Sequence, residues 1–416
     1  MKTDRNAPCA CGSGKKSKHC CQALGEHPPF APPIEINQLI TLFHAGRYAE
    51  MESQACMLVE RYPDSGIAWK LFGTSLGVQG KDALSALQKA AVLLPDDVEV
   101  HANLGNVLQA IGQLDSAIIS YRRALGLNPH IAEVHNNLAN ALKDLEQLDA
   151  AVASYRKALS INPHYAEAYN NLGVALQDLG QLNDAVASFR HALEINPGFT
   201  EAYSNLGNAL KDLGRLDAAL ACFRRALEIQ PGNAGAHNNL GVALEALGYA
   251  ADAVTSFCRA LEINPDYAEA HSNLAHVLLS QGSFGQGWQA YAWRFSRDVA
   301  NLTLLPANSL LPFTSQGKRI LLCFEQGIGD ELFFLRFAPQ LREETQWVAY
   351  WSTAKVQSLI ERSGCVDQVI SRFDEAPKTD LIIPAGDLPL LLGCNSTAAI
   401  PPSLRFSPAE QHVAKV

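Results

Sequence analysis

Apolar and polar positions along this chain follow a pattern that returns every 34 residues. The pair Asn-Leu followed by Gly or Ala stands at Asn103, Asn137, Asn171, Asn205, Asn239 and Asn273, and other columns keep the same step. Ala117, Ala151, Ala185, Ala219 and Ala253 form one, and Pro129, Pro163, Pro197, Pro231 and Pro265 another. An aromatic column runs through Tyr121, Tyr155, Phe189, Phe223, Phe257 and Tyr291. Each column has a packing reason. Gly105, Ala117 and Ala124 are small where two helices must approach, while Leu104, Leu108 and Tyr121 fill the space between units. Gly112, Gly180, Gly214, Gly248 and Gly282 fall just past a first helix, where a residue able to take positive φ ends it. Glu146 breaks that column. Asp115, Asp149 and Asp217 open a second helix at the positive end of its dipole. Asn-Pro pairs then stop it, since proline disfavours helical geometry in the residue before it.

The pattern therefore predicts one helix-turn-helix unit per 34 residues, and weaker copies extend it. Leu71-Phe72-Gly73 precedes the next such triplet by 32 residues, so that unit is two short, and Leu39 with Gly46 begins a still earlier copy. Residues 35–298 hold eight units, of which the first two and the last, ending SFGQGWQAYAWRF, suit capping roles. The succession His101, Leu104-Gly105, Leu108, Ala117, Tyr121, Ala124 and Pro129 resembles the tetratricopeptide repeat (TPR). That resemblance implies a mainly α fold, an α-solenoid whose first helices line a concave groove for proteins or peptides.

The recurrent polar residue of the first helix is the asparagine at 103, 137, 171, 205, 239 and 273, whose amide both donates and accepts. Such a ladder reads a peptide backbone rather than a sequence. The column is similar to the one in the TPR superhelix of O-linked N-acetylglucosamine transferases, which implies a grip on acceptor polypeptides. The alternative is that each asparagine bonds neighbouring backbone and only helps the units stack. Asn136, Asn170 and Asn238 stand beside the ladder, with Lys143, Lys211 and the glutamates 133, 167, 201 and 269 nearby. This mixed charge names no preferred peptide, and the glutamates fit a solvated helix start equally well.

Charge and length then narrow the class. The chain of 416 residues carries a net charge of −9 with 18% charged residues, which excludes a global basic field and makes nucleic acid an unexpected partner. No apolar run reaches the roughly 18 to 20 residues that span a bilayer, and the N-terminus has no segment of signal-peptide type, so a cytoplasmic chain is expected. Four of the ten cysteines, Cys9, Cys11, Cys20 and Cys21, crowd near the N-terminus and read as metal ligands in a reducing compartment. The other six read as small buried side chains. The run from Cys9 to Cys21 looks like the SEC-C motif of the bacterial preprotein translocase ATPase. That implies one structural Zn2+ on the four thiolates, with His19 outside the pattern, in a segment that docks on protein or lipid. So short a segment cannot bury a core, and metal binding would supply its folding free energy.

After Arg297 the period stops. Pro306, Asn308, Ser309, Pro312 and Ser315 read as a linker. Arg319–Phe324 is a buried-strand run, Glu325–Asp330 a glycine turn, and Glu331–Arg342 a helix; Trp347–Trp351 and Asp380–Pro384 offer further strands around a helix from Lys355 to Ser363. A Rossmann-like α/β layer with parallel strands is expected. The turn with Gly327 and Gly329 could present amides to an anion. The segment looks like the N-terminal half of a heptosyltransferase-like GT-B glycosyltransferase. That resemblance implies a base at Asp330, although the nucleotide-sugar half would lie beyond Val416.

The expected organisation is a zinc motif over 1–24, a solenoid over 35–298, a linker over 299–316 and a partial α/β domain over 317–416. The expected function is a scaffold binding extended peptides or proteins. The alternative is a TPR glycosyltransferase, truncated or completed by another chain, with a nucleotide sugar as its donor.

Overall fold

The computed structural model describes residues 30–294, 314–324, 327–376 and 378–406. The zinc-motif cysteines and most of the expected linker lie outside the described residues. The chain divides into two compact units, residues 1–209 and 210–416. The first holds α1 (Pro33–His44), α2 (Tyr48–Arg61), α3 (Gly66–Val78), α4 (Leu84–Leu93), α5 (Val98–Ala110), α6 (Leu114–Leu127), α7 (Ala132–Asp144), α8 (Leu148–Ile161), α9 (Ala166–Asp178) and α10 (Leu182–Ile195). The division falls within α11 (Thr200–Asp212). These are TPR solenoid-like repeats, and the fold is mainly helical with a small C-terminal parallel sheet.

Within the first unit the columns pack as their sizes require. A Cβ on Gly105 would come within 2.5 Å of the Tyr121 ring, and one on Gly173 within 2.5 Å of Phe189, so a small residue is needed where α5 meets α6 and α9 meets α10. Tyr121, Tyr155 and Phe189 are fully buried. The second repeat departs from its neighbours. Its α4 has 10 residues against 14 in α6, and the turn before it is longer, which is how 32 residues replace 34.

The second unit continues with α12 (Leu216–Ile229), α13 (Ala234–Ala246), α14 (Ala250–Ile263), α15 (Ala268–Ser280) and α16 (Phe284–Tyr291). The sheet follows: β1 (Arg319–Cys323), α17 (Ile328–Leu335), α18 (Ala338–Glu344), β2 (Trp347–Trp351), α19 (Gln357–Ser363), β3 (Gln368–Ile370), β4 (Leu381–Pro384) and α20 (Leu388–Leu391). Its strands are parallel in the order β3-β2-β1-β4. The helix expected over Glu331–Arg342 is two helices instead. Pro339 has no N–H to donate and fits only the first turn of a helix, so α18 starts anew there.

Trp288 of α16 is buried in the same core as Ile320, Phe334, Leu341 and Tyr350, so the last repeat helix and the sheet share one interior. Arg294 adds a buried ion pair, Nη1 2.8 Å from Asp387 Oδ1, and its guanidinium lies over the Tyr291 ring. The face of the last repeat that has no identical neighbour is thus covered by the α/β layer. Ser315, expected in the linker, is buried and donates to Glu344 at 2.9 Å. Of the six scattered cysteines, Cys323, Cys365 and Cys394 are buried as expected, but Cys56 and Cys222 are partly exposed and Cys258 is exposed on α14. Among the described residues no helix is long and apolar enough to cross a membrane.

Glu146 adopts φ of +59°, the left-handed turn that Gly112 and Gly180 make in their own repeats. Its φ is set by the two helices it joins, at a local cost a glycine would not incur. Glu146→Gly is expected to raise unfolding free energy by about 1 kcal/mol in urea titrations; a destabilised variant would show that the glutamate side chain outweighs its backbone.

Candidate peptide-binding face

The ladder asparagines are half-buried, and their amides run from repeat to repeat. In the first unit Asn171 Nδ2 donates to Asn136 Oδ1 at 3.2 Å and Asn205 Nδ2 to Asn170 Oδ1 at 3.0 Å. In the second unit Asn273 Nδ2 donates to Asn238 Oδ1 at 3.0 Å. The acceptors are the asparagines one position earlier in the preceding repeat, and Asn136, Asn170 and Asn238 are buried. Two of them pass the chain on to a glutamate of the following repeat. Asn170 Nδ2 lies 3.3 Å from Glu201 Oε1, and Asn238 Nδ2 lies 3.2 Å from Glu269 Oε1.

Where the acceptor is missing the ladder finds another. Ala102 occupies that position before Asn137, and Asn137 donates instead to Asn106 Oδ1 at 3.0 Å, which also accepts from the Tyr121 hydroxyl. Asn103 reaches Thr74 Oγ1 at 3.3 Å in the irregular repeat. The stacking role weighed from sequence is therefore present, but its partners are side chains rather than backbone. Asn239 enters none of these bonds, and it stands at the corresponding place on α13.

Other columns are satisfied locally. His101 and His135 place Nε2 against the Pro95 and Pro129 carbonyls at 2.9 and 3.1 Å, which orients a ring at the start of each first helix. Burial lowers the His135 pKa, against the raising effect of its bond to Pro129. Burial likewise pushes the Tyr121 hydroxyl well above its ordinary value.

The glycine run of the α/β layer lies at a different kind of place, and it is not the turn expected over Glu325–Asp330: α17 already starts at Ile328, so Gly327 is its N-cap and Gly329 and Asp330 stand in its first turn. Strand order reverses between β1 and β4, so Gly327, Gly329 and Asp330 follow the carboxyl end of β1 where open α/β sheets form a crevice. Asp330 is exposed. The neighbouring Glu331 is buried and accepts from Tyr350 at 2.8 Å, Ser352 at 3.1 Å and Thr353 at 3.4 Å. It ties α17 to the end of β2, a role the sequence did not signal because its neighbour carried the motif. The space beside both, between Phe324 and Gly386, is about 10 Å³, room for one water at most. Among the described residues no three His, Cys, Asp or Glu side chains could share a metal ion.

Comparison with known families places TPR models over residues 98–131, 139–180, 166–199, 188–221, 207–248 and 251–282. A SEC-C motif model covers residues 5–23. The chain therefore carries tetratricopeptide repeats and an N-terminal SEC-C motif. No curated protein matches it. Among solved structures it is similar to YrrB, described as a TPR protein with an unusual peptide-binding site, at 29% identity over 44% of this chain and 95% of that one, with a TM-score of 0.39. MamA is 27% identical over 41% of this chain and 94% of its own, with a TM-score of 0.38. The Pseudomonas aeruginosa pilF protein is 19% identical over 51% and 97%, with a TM-score of 0.45.

A buried amide that loses its partner costs more than a half-exposed one. Asn170→Ala is expected to cost about 2 kcal/mol and Asn171→Ala about 1 kcal/mol in urea unfolding. Equal losses would mean the buried asparagines are not the anchoring members.

Proposed function

We propose that this chain is a protein-interaction scaffold that grips an extended polypeptide along the first-helix face of its repeats. The repeat array supports the scaffold reading, and one observation carries the finer one. Asn171, Asn205 and Asn273 each use one amide N–H to reach the preceding repeat, which fixes the side chain while it stays half-exposed. An amide has a second N–H and a carbonyl, the pair that an extended backbone complements. Side chains held in this way lose little further freedom when a ligand arrives.

The SEC-C motif supplies a second module. Cys9, Cys11, Cys20 and Cys21 are four thiolates, the donor set that suits tetrahedral zinc, and a bound ion would supply folding free energy to the segment. The basic residues around them, Lys2, Arg5, Lys15, Lys16 and Lys18, fit docking on an acidic protein or lipid surface.

A glycosyltransferase reading draws on a single feature, the exposed Asp330 at the carboxyl edge of β1, where it could accept a proton. Turnover of a nucleotide sugar by the purified chain, lost in Asp330→Ala, would favour it over the scaffold alone.

Peptides selected on the full chain from a random library are expected to lose about tenfold or more in affinity to Asn171→Ala/Asn205→Ala, two hydrogen bonds at about 0.5 to 1.5 kcal/mol each. Unchanged binding by a folded double variant would return the ladder to stacking alone. For the metal, mass spectrometry of protein purified without chelator is expected to find one zinc per chain, absent after Cys9→Ser/Cys20→Ser. Zinc retained by that variant, or none in the parent, contradicts the assignment.

A further inference from the structure

The irregular second repeat borders open space. Two cavities open on the first-helix face of the first unit, about 610 Å³ between α3 and α5 and about 350 Å³ between α1 and α3, and Thr74 lines both. The first is walled by Gly77, Val78, Val107, Ala110 and Ile111, and the second by Ile40, Phe43, Ile67 and Leu71. Their sizes fall within the range of specific ligand pockets, about 300 to 1,000 Å³. Asn103 and Asn106 stand on the wall of the larger one, so the ladder begins where the cavities end.

Two features of this wall work against stability. Gly77 lies inside α3, where glycine costs about 1 kcal/mol relative to alanine. An added Cβ there would meet only Ala83 at 3.9 Å, so packing does not demand the glycine. Gly73, one turn earlier, is different, since a Cβ there would lie 2.7 Å from Leu87. Ile67, Val78 and Ile111 are also 47%, 49% and 52% exposed, apolar side chains held open beside empty volume.

The charge at the mouth has one sign left over. Lys70 lies 3.0 Å from Asp97 and 2.5 Å from Glu99, and Lys81 lies 2.6 Å from Glu52, so both lysines are engaged. Burial would lower the Lys70 ammonium, but its bonds to Glu99 and Asp97 outweigh that and hold it above its ordinary value. One lysine against two carboxylates leaves a negative charge, and Asp82 at the other cavity adds a second. Glu133 and Glu167 continue this sign on exposed positions of α7 and α9.

We propose that the paired cavities hold a large aliphatic or aromatic side chain of a peptide whose flanking residues are Lys or Arg. The anchor replaces water against Val107, Ile111 and Ile67, while the flanks face Glu99, Asp82 and the glutamates beyond. This rests on the peptide-binding reading and names the class of peptide. It also gives the shortened repeat a use: it opens a specificity pocket at one end of a ladder that by itself reads only backbone.

The test uses the full chain and a random dodecapeptide library displayed on phage, with selected sequences then synthesised for fluorescence anisotropy. The selected peptides are expected to carry Lys or Arg around a Leu, Ile, Met, Phe or Trp, and to bind more weakly as salt rises. Ala110→Trp and Ile67→Asp change exposed cavity walls, so melting temperature should hold while affinity falls about tenfold or more. Selected peptides without an apolar residue or with acidic flanks, or full affinity in both folded variants, would overturn the proposal. Should Asn171→Ala/Asn205→Ala weaken binding while the two wall variants do not, the cavities fall and the ladder stands. If no peptide is selected, both readings fall.

Discussion

The grip proposed for the repeat array depends on buried asparagine amides that must be satisfied across a repeat boundary. Asn136, Asn170 and Asn238 are closed off from water, and an amide left unpaired there costs roughly 1 to 3 kcal/mol. The next repeat answers with an asparagine or a glutamate, which fixes where that repeat can sit. Stacking by apolar contact alone tolerates small rotations, whereas a hydrogen bond of about 3 Å does not. The same bond orients the half-exposed partner, so the amides that tie neighbouring repeats together are also the ones proposed to meet a ligand.

The repeat was legible in the sequence because six columns share one 34-residue step and each column has one packing job. Gly105 could be read as a close approach before any coordinates, and the turn glycines likewise, but Tyr121, expected between units, packs against Gly105 within its own repeat. What could not be read was the direction of the polar side chains. Asn170 and Asn171 are adjacent in sequence, yet one is buried and the other stands at the open face, a difference set by a rotation of about 100° along the helix. The ladder's bonds from repeat to repeat followed from that geometry. Glu146 shows the converse, since a column broken in sequence is kept in backbone conformation by the helices on either side.

The irregular ends depart most from the repeat's packing. At the second repeat α4 has 10 residues where α6 has 14 and the turn before it is longer, and cavities open close by, an irregularity that the spacing of 32 with Gly73, Gly77 and Gly80 could have signalled. At the last repeat, Trp288 and Arg294 turn from the repeat pattern toward the α/β layer, and the Arg294–Asp387 pair, 93 residues apart, could not be inferred from local pattern. A buried ion pair adds little net stability but is costly to break, so it holds the layer in one arrangement. Glu331 is not legible in local sequence for a similar reason: its three hydroxyl partners come from the far end of β2 and the loop after it.

One face of the asparagine ladder is held inside the solenoid, and the other is proposed to meet a peptide. Side-chain amide NMR of the deuterated chain, titrated with a selected peptide, tests this directly. The Asn171 and Asn205 amide signals should shift on saturation while those of buried Asn136 and Asn170 move little. Shifts confined to second-helix residues, with the Asn171 and Asn205 amides unmoved, would contradict it.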